Sequence, residues 1–388
     1  MEMAALKSPS LIEQLTITLI GVFAFLQVYS IQAILPILIH DLNASEVQAG
    51  MMVGATVMGI ALLSPFVGIL SDRLGRKIFV VGALFLLSIP TALISISQSV
   101  HIISVWRFLQ GIYVPGITVV LIAYIGEEYR HHLAKMMSLY VMGTVLGGFG
   151  GRFLVGHLNE LIGWRYAYAV MAIFTLIGAI IVLKTLPKSQ HFSQSGNWSS
   201  ALTLLISHAK NRYVISACLL GACVLFSLVA CFTFINLHLA QPPYLLSTSA
   251  LANIFSIYLI GMVITPLSAK AIGRFGMVKT VIGAVSISAS GVLLTLSAPL
   301  WMIIFGLTLM SSGVFVTQSA TISYIASHIT KGRSLASGLY YMSYYGGGSI
   351  GAWLCGLVYM QGQWTYTVYT IISVQLLALT VALIFMRQ

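Results

Sequence analysis

Residues 68–77 read GILSDRLGRK, a polar turn with one carboxylate and three cations between two long apolar runs. A charge placed in lipid hydrocarbon costs at least a few kcal/mol, so a cluster of this kind must lie at a membrane surface. The turn therefore predicts two membrane helices that it joins, and it marks one face of the bilayer.

The composition of the whole chain agrees with a membrane setting. Of its 388 residues, 59% are hydrophobic and 7% are charged, and the mean hydropathy is +0.98. About a quarter of the residues in ordinary globular domains are charged, so a soluble chain of this length could not hide so much apolar surface. The four cysteines lie inside apolar runs without the paired spacing that holds zinc. No metal site and no cofactor are therefore expected.

Apolar runs and their polar breaks predict an all-α integral membrane protein of twelve transmembrane helices, each near the length of about 20 residues that crosses a bilayer. The predicted spans are residues 15–39, 48–70, 78–96, 102–126, 135–157, 165–186, 213–239, 248–270, 278–297, 300–327, 335–360 and 366–386. The long polar connection after the sixth span separates an N-terminal six-helix bundle (1–186) and a C-terminal one (213–388) by a cytoplasmic linker (187–212). Within this linker, residues 198–206 fit either a short interfacial helix or a flexible connection.

Lysine and arginine are distributed unevenly between the two predicted faces. The face that carries the turn holds 16 of the 19 Lys and Arg residues, whereas the opposite face holds Arg165 and the spans hold Arg107 and Arg152. By the positive-inside rule the turn is cytoplasmic. With an even number of spans, both termini are then cytoplasmic, in a plasma membrane such as the bacterial inner membrane.

The chain repeats itself at an offset of about 200 residues. At an offset of 201, the residues Pro65, Arg73, Gly75 and Gly82 match Pro266, Arg274, Gly276 and Gly283; at an offset of 200, Gly147, Gly151 and Trp164 match Gly347, Gly351 and Trp364. The repeat predicts two halves of the same topology around a central cavity, with a substrate site between them near the membrane midplane.

Over essentially its whole length the chain resembles the major facilitator superfamily. The turn matches the signature of that family between its second and third helices at Gly68, Asp72, Arg73, Gly75, Arg76 and Lys77. The resemblance implies a conformational latch in which the carboxylate holds a helix end and the cations; the alternative is a topology anchor alone. The second copy of the turn has Gly273 where Asp72 stands, so any latch is asymmetric.

A second match is the stretch Arg107-Phe-Leu-Gln110-Gly111 in the fourth span, which is similar to an RxxQG element of the family. The resemblance implies that Arg107 and Gln110 serve proton or substrate coupling. An arginine at this depth should face a water-filled cavity or a partner; the alternative is that it snorkels outward from near the helix end.

The fifth span carries a glycine ridge that is similar to the motif of drug:proton antiporters. Its helix-packing residues are Gly143, Gly147 and Gly151, with Gly347 and Gly351 as copies in the second half. The family pattern has a proline where this chain has Gly148, which weakens the exporter interpretation. Close packing of another helix accounts for the glycines without any statement about direction.

The acidic residues restrict where a proton could be carried, because none of the eight lies after Glu160. Related antiporters often have an acid midway along the first span, where this chain offers Gln27 and Gln32. Asp41 and Glu160 are expected to be loop or capping residues. His157 and His238 are the histidine candidates for proton exchange, against the alternative of ordinary interfacial histidines.

Arg107 and Arg152 are cations at membrane depth with no acid embedded beside them. An organic anion would neutralise them, because guanidinium pairs well with carboxylate or phosphate; alternatively Arg152 pairs with Glu160, two turns along its helix. The residues expected to line the cavity are Tyr29, Gln32, Asn236, Tyr258, Gln318, Tyr341, Tyr344 and Tyr345. The last three share one helix face, which also fits simple packing.

The sequence thus predicts a secondary transporter that moves a small organic solute by alternating access. Proton-coupled export by an antiporter is ranked first, and uptake or facilitated transport of an organic anion, such as a carboxylate-bearing metabolite or chelator, second. A non-transporting membrane sensor is the alternative of another class. The chain offers no nucleophile, nucleotide-binding or metal motif of an enzyme. Its expected partners are the substrate, the lipid bilayer and, for export, protons; no nucleic acid is expected, and the protein should be a monomer.

Overall fold

The structure is a computed structural model that describes residues 9–189, 198–329 and 332–385. All regular elements in these ranges are helical. The α-helices are α1 (Leu11–Leu26), α2 (Leu35–Asp41), α3 (Glu46–Leu74), α4 (Arg76–Ser95), α5 (Val100–Glu128), α6 (Leu133–Ile162), α7 (Trp164–Thr185), α8 (Trp198–Ala209), α9 (Arg212–Leu239), α10 (Thr248–Ile254), α11 (Gly261–Phe275), α12 (Met277–Leu294), α13 (Leu300–His328) and α14 (Arg333–Phe385). Three 3-10 segments lie between them, at Ser30–Ile34, Arg130–His132 and Phe255–Ile260.

Ten helices of the described chain are long and apolar enough to cross a membrane, and the bent pair Leu11–Leu26 and Ser30–Asp41 raises the number to eleven. The two members of that pair meet at an angle of 45°. In the second half, α10, the segment Phe255–Ile260 and α11 follow one another as a single span from Thr248 to Phe275. The expectation of an all-helical membrane protein is confirmed.

Helix α14 contains 53 residues and is interrupted near its middle. At 1.5 Å per residue it would be about 80 Å long, far more than the hydrocarbon core of about 30 Å. Gly362 and Gln363 have non-helical backbone angles, and Gln363 has a φ of 51°. This break lies where the sequence predicts the gap between the eleventh and twelfth spans.

The polar turn of residues 68–77 has a single-residue connection, because α3 ends at Leu74 and α4 begins at Arg76. Gly75 between them has a φ of +87°, and Gly276 between α11 and α12 has a φ of +79°. Side chains strongly disfavour this left-handed region, which glycine enters freely. The two glycines that the repeat matches therefore make the same turn.

The glycine ridge of α6 lies directly against the backbone of α1. A Cβ atom at Gly143, Gly147 or Gly151 would come within 2.2, 2.2 or 1.9 Å of a carbonyl oxygen of α1. In the second half, a Cβ atom at Gly347 or Gly351 of α14 would come within 2.2 or 2.6 Å of a carbonyl oxygen of α9. Both copies of the ridge thus have the same helix-packing role.

The linker predicted between the halves includes a helix, α8, at Trp198–Ala209. Of the two alternatives for residues 198–206, the structure therefore has a helix. The preceding residues 190–197 lie outside the described chain.

The four cysteines are free thiols set inside the helices of the second half. Cys223, Cys231 and Cys355 are buried, and Cys218 is half-buried.

Candidate functional site

The first membrane span is broken at its middle. At the break, backbone carbonyl groups lose their intrahelical donors and can accept hydrogen bonds from another side chain. Helix α1 ends at Leu26 and the 3-10 segment begins at Ser30. Arg107 of α5 donates from Nη1 to the carbonyl oxygen of Gln27, at 2.5 Å, and from Nη2 to that of Val28. The guanidinium thus fills the gap that the helix break opens.

The remaining donors of Arg107 also have acceptors. Nε donates to the carbonyl oxygen of Met52 at 3.2 Å, and Nη1 also donates to Oε1 of Gln110 at 2.7 Å. Gln110 in turn donates to Oγ1 of Thr91 at 2.8 Å. Arg107 is fully buried, so the alternative that it snorkels outward is wrong; it has the partner expected at this depth.

Arg152 of α6 is fully buried as well, yet its donors are used differently. Nε donates to Oε1 of Gln32 at 2.8 Å, and Nη1 donates to the carbonyl oxygen of Gly148 at 2.7 Å. Nη2 lacks a hydrogen-bond acceptor of good geometry among the described residues. The Tyr258 side chain lies within hydrogen-bonding reach of this guanidinium, so Nη2 is the nitrogen that the protein engages least.

The alternative that Arg152 pairs with Glu160 is wrong. Two helical turns separate these residues by about 12 Å along the axis, whereas Gln32 lies within hydrogen-bond distance of Arg152. Oε1 of Glu160 instead accepts a hydrogen bond from the backbone N–H of Ser249, at 2.9 Å.

Three aromatic rings surround the guanidinium of Arg152. Its Cζ atom lies 4.6 Å from the ring centroid of Tyr29, 4.4 Å from that of Phe255 and 4.4 Å from that of Tyr258. Each ring is within the range of about 6 Å for a cation–π interaction. Tyr258 also packs against Phe315 of α13, with ring centroids 6.1 Å apart. The rings come from the break in the first span and from the 3-10 segment Phe255–Ile260 of the second half.

Gln32 connects this arginine to the second half of the chain. The side-chain Nε2 of Gln32 donates to Oγ1 of Thr233 at 2.9 Å. The backbone carbonyl oxygen of Gln32 accepts from Nδ2 of Asn236 at 3.2 Å. Both residues belong to α9, and Asn236 also donates to the carbonyl oxygen of Phe232 in its own helix. Gln32 thus contacts Arg152 and α9 at once.

A cluster of four tyrosines lies on the first part of α14. Its members are Tyr340, Tyr341, Tyr344 and Tyr345, whose contacting rings have centroids 5.3 to 6.4 Å apart. The prediction that the last three share a helix face is confirmed by these contacts. The four rings thus form one contiguous aromatic cluster on α14.

Three predicted site residues have other surroundings. His157 hydrogen-bonds through Nδ1 to the carbonyl oxygen of Phe153 in its own helix, at 2.8 Å. His238 stacks on Trp364, with ring centroids 6.0 Å apart. Gln318 is half-buried on α13. The residues that the structure brings together are those around Arg152.

The reasoning from sequence missed Thr233 and Phe255, although one signal for Thr233 was present. Gln32 and Thr233 are separated by 201 residues, which is the offset of the internal repeat. Residues near a twofold axis lie close to their own copies, so a polar residue and its polar copy near the middle of a span were candidates for contact. Phe255 gave no such signal, because aromatic residues are common in apolar spans.

The polar turn of residues 68–77 is attached to α5 by an ion pair. Nη2 and Nε of Arg76 donate to the two carboxylate oxygens of Glu127, at 2.6 and 3.2 Å, and Nη1 donates to Oγ of Ser71 at 2.5 Å. This two-pronged geometry is the strong form of a charge-assisted contact. The side chains of Asp72 and Arg73 lie outside the described part of the structure.

At the opposite end of the molecule, α6 meets the start of α10. Besides the contact of Glu160 with Ser249, Nδ2 of Asn159 donates to Oγ1 of Thr248 at 3.1 Å, and that hydroxyl donates to the carbonyl oxygen of Gly156 at 3.1 Å. Asp41 accepts from Nε1 of Trp164 at 3.1 Å. Glu160 lies inside α6 and caps the start of α10, as expected of a capping residue. Asp41 is the last residue of α2 and binds Trp164, so the expectation of a loop or capping residue is wrong for Asp41.

An apolar helical fold with interrupted spans in both halves and a buried arginine beside them is typical of a membrane transporter. The chain belongs to the Major Facilitator Superfamily, whose family model matches residues 17–261. It is a secondary transporter of that family and not an enzyme.

Relatives cover nearly the whole chain. The inner membrane transport protein YnfM of Escherichia coli is 30% identical over 346 residues, 89% of this chain and 83% of that protein. The uncharacterized MFS-type transporter YybF of Bacillus subtilis is 28% identical over 361 residues, 92% of this chain and 89% of that protein. The crystal structure of the nucleoside transporter NupG has a TM-score of 0.81 at 13% identity and covers 96% of this chain and 100% of that chain; this likeness concerns the fold.

Proposed function

We propose that the protein carries a small organic anion across the membrane by alternating access, with the anion bound at Arg152. The supporting observation is the buried guanidinium whose Nη2 has no acceptor of good geometry among the described residues. A buried charge without a counterion costs several kcal/mol. A ligand carboxylate would supply both the opposite charge and the missing acceptor.

Arg107 does not share this role in the proposal. Each of its three guanidinium nitrogens already donates to an oxygen of the protein. Its function is to hold the break in the first span, and Gln110 supports it there. The binding site therefore has one cation.

Binding at Arg152 would act on the contact between the halves through Gln32. A carboxylate that approaches Arg152 competes with Oε1 of Gln32 for the guanidinium. Displacement of Gln32 loosens its contacts with Thr233 and Asn236 of α9. A ligand changes a conformational equilibrium only through such a difference in contacts between the two states.

The proposed architecture has twelve crossings in two six-helix bundles, residues 1–186 and 213–388. The ten long helices, the bent first span and the break in α14 support this number. Residues 187–212 are the linker, and both termini lie in the cytoplasm, where the positive-inside rule places the polar turn. The turn acts as a latch that Arg76 and Glu127 hold against α5.

The proposal can be tested by flux into liposomes that contain the purified protein. Organic anions should enter at a rate that Arg152→Gln lowers at least tenfold, whereas Lys184→Gln, the same charge change at an exposed helix end, should leave the rate unchanged. The proposal is wrong if anions do not cross, or if Arg152→Gln transports them normally. Binding without flux would support the membrane sensor instead.

Proton-coupled export by a drug:proton antiporter is the second candidate. Glu160 favours it, because this acid lies on the contact between α6 and α10. The glycine ridge gives no direction, since its copy on α14 packs in the same way. Acceleration of cation efflux by an inward proton gradient, and its loss in Glu160→Gln, would favour this candidate over anion transport.

A further inference from the structure

We infer that a cavity at the turn between α11 and α12 binds an anionic phospholipid, with Lys279 against the headgroup phosphate and apolar side chains along the acyl chains. This site is separate from Arg152, and it does not depend on the anion that is proposed to bind there.

The cavity, called the turn cavity below, has both a cation and apolar walls. It measures about 710 Å³ and lies between the end of α11, the start of α12 and the ends of α13 and α14. Sites for small molecules have volumes of about 300–1,000 Å³. Its polar side chains include Lys279, Ser327 and His328, and its apolar ones include Ile272, Ile282 and Leu383. An amphiphile needs this combination, because its charged end and its hydrocarbon require different surroundings.

The turn cavity is accessible from the surface of the helices. Phe275 and Leu383 line it, and they are 56% and 41% exposed. Ile282 lies on the same side of α12 as Lys279 and about one turn further along the helix. Apolar side chains on the outside of a membrane helix contact acyl chains, so a phospholipid can enter from its own leaflet. A free phosphate ion would gain nothing from these walls.

Comparison with the first half shows which groups the turn cavity lacks. The repeat places Met277 at the position of Arg76, at an offset of 201, and Ser327 at the position of Glu127, at an offset of 200. Arg76 and Glu127 form an ion pair with a distance of 2.6 Å, whereas Oγ of Ser327 lies 4.0 Å from the sulfur of Met277. Both of these residues line the turn cavity. Where the first half has its own carboxylate, the second half therefore has space for an anion from outside the chain.

The charge of the second bundle supports an anionic ligand. Residues 213–388 contain no Asp or Glu, and their Lys and Arg residues are Lys270, Arg274, Lys279, Lys331, Arg333 and Arg387. No acid of the described chain lies within ion-pair distance of Lys279. Lysine binds phosphate as a point charge, and basic pockets between membrane helices on the cytoplasmic side bind acidic headgroups. An anionic lipid would thus supply the counterion that the protein does not.

The first experiment is native mass spectrometry of the purified full chain in detergent, which counts the lipids bound to each molecule. The probes are dioleoyl-phosphatidylglycerol, which is anionic, and dioleoyl-phosphatidylcholine, which has the same chains and phosphate but no net charge. The first molecule of phosphatidylglycerol should bind at least roughly fivefold more tightly than phosphatidylcholine. Glycerol 3-phosphate, which has the anionic phosphate without acyl chains, should not displace it at an equal concentration.

Each other result of these titrations would overturn the inference. Equal affinity for the two lipids would show that the negative charge is not recognised. Displacement by an equal concentration of glycerol 3-phosphate would identify a site for soluble phosphates instead of lipids. Absence of a bound phosphatidylglycerol would mean that the turn cavity does not hold a lipid.

The second experiment locates the bound lipid. Lys279→Gln should weaken the binding of phosphatidylglycerol roughly fivefold and leave that of phosphatidylcholine nearly unchanged. Lys270→Gln is the matched control, because it makes the same charge change at an exposed position of α11 outside the turn cavity. Equal losses in the two variants would reduce the effect to general surface charge, and an unchanged affinity in Lys279→Gln would overturn the site.

A third variant fills the turn cavity without any change of charge. Ser327 is exposed and lines the cavity, so Ser327→Trp should weaken the binding of both lipids at the first site. Unchanged binding of phosphatidylglycerol in Ser327→Trp would contradict the location. Thermal unfolding without added lipid checks that each variant is folded; if one is not, the titrations of the native protein and the other variant still decide.

Discussion

Among the described side chains of the first half, Arg107 and Arg152 are the fully buried arginines, and they differ in how completely the protein satisfies their donors. The three nitrogens of Arg107 donate to four oxygens, three of which are backbone carbonyls. Arg152 uses two nitrogens and has aromatic rings around it. A cation at membrane depth therefore does not by itself indicate a binding site, whereas a buried guanidinium with incomplete hydrogen bonding supports one.

The difference has its origin in the first span. The break between Leu26 and Ser30 produces free carbonyls, and Arg107 satisfies them. Arg152 does not satisfy a helix break, because its acceptors are one side chain and the carbonyl of Gly148, one turn back in its own helix. Arg107 thus satisfies backbone carbonyl groups of two helices. The neighbours of Arg152 fix the position of its guanidinium but do not complete its hydrogen bonds.

Among the substitutions that compare the two arginines, Arg107→Leu is expected to lower the free energy of unfolding the most. This change removes the donor of the Val28 carbonyl and one donor each from the carbonyls of Gln27, which also accepts from Oγ of Ser30, and of Met52, which lies inside α3. A buried group left unsatisfied costs about 1–3 kcal/mol. The free energy of unfolding should fall by about 3 kcal/mol or more, seen as a large drop of the thermal unfolding temperature in detergent.

Arg152→Leu is the comparison for that prediction. It removes two hydrogen bonds rather than four and should destabilise the protein less. Equal losses of unfolding temperature in the two variants would mean that both arginines are structural.

The next largest effect is expected from Gly151→Ala, beside Arg152. The added Cβ would lie 1.9 Å from the carbonyl oxygen of Leu26, so α6 must move away from α1. Overpacking of this kind costs about 1–3 kcal/mol, and it should also weaken anion binding because Arg152 moves with the helix. Gly150→Ala is the matched control, since its Cβ would meet only Cδ1 of Leu26 at 3.8 Å. A stable Gly151→Ala variant would contradict the close approach of the two helices.

A smaller effect is expected from Gln32→Leu, which removes the competitor for Arg152. Loss of a typical hydrogen bond changes the free energy by about 1 kcal/mol. Anion binding, measured by calorimetry, should stay the same or tighten, while flux in liposomes should fall severalfold because the contact with Thr233 is lost. Thr233→Val removes only that contact and should lower flux without any change in affinity. Weaker binding in Gln32→Leu would show that Gln32 helps to hold the anion.

The smallest effect is expected from Glu160→Gln. Because Glu160 contacts the start of α10 and not Arg152, anion affinity should change by no more than about twofold, less than the effect of one hydrogen bond. Asp41→Asn, an acid that contacts Trp164, serves as the control. A large loss of anion affinity in Glu160→Gln alone would restore Glu160 as a partner of Arg152.

Much of the fold followed from local signals in the sequence. Gly75 and Gly276 marked the same turn in both halves, because only their backbone angles allow a one-residue connection. The break at Gly362 and Gln363 coincided with a short polar interval between two apolar runs. Such features depend on the residues at the position itself, so a single sequence contains them.

The roles of the two buried arginines could not be predicted in this way. The run from residue 15 to 39 contains no proline or charge at the point where the helix breaks. The sequence therefore contains no sign that backbone carbonyls at this break would accept hydrogen bonds from Arg107. The choice of Arg152 between Gln32 and Glu160 depended on the distance between α6 and the first span. Spatial relations of this kind arise from packing of distant segments, which periodicity does not encode.

The placement of the four thiols has a practical consequence for the study of this transporter in motion. Cys223, Cys231 and Cys355 are buried and Cys218 is half-buried, all within the membrane-spanning helices of the second half. Water-soluble maleimides should therefore react slowly with the native chain, so a reporter cysteine can be added without first removing the natural ones. A probe at Ser249 would report opening of the α6 and α10 contact, and one at Lys210 would report which side of the membrane the linker occupies.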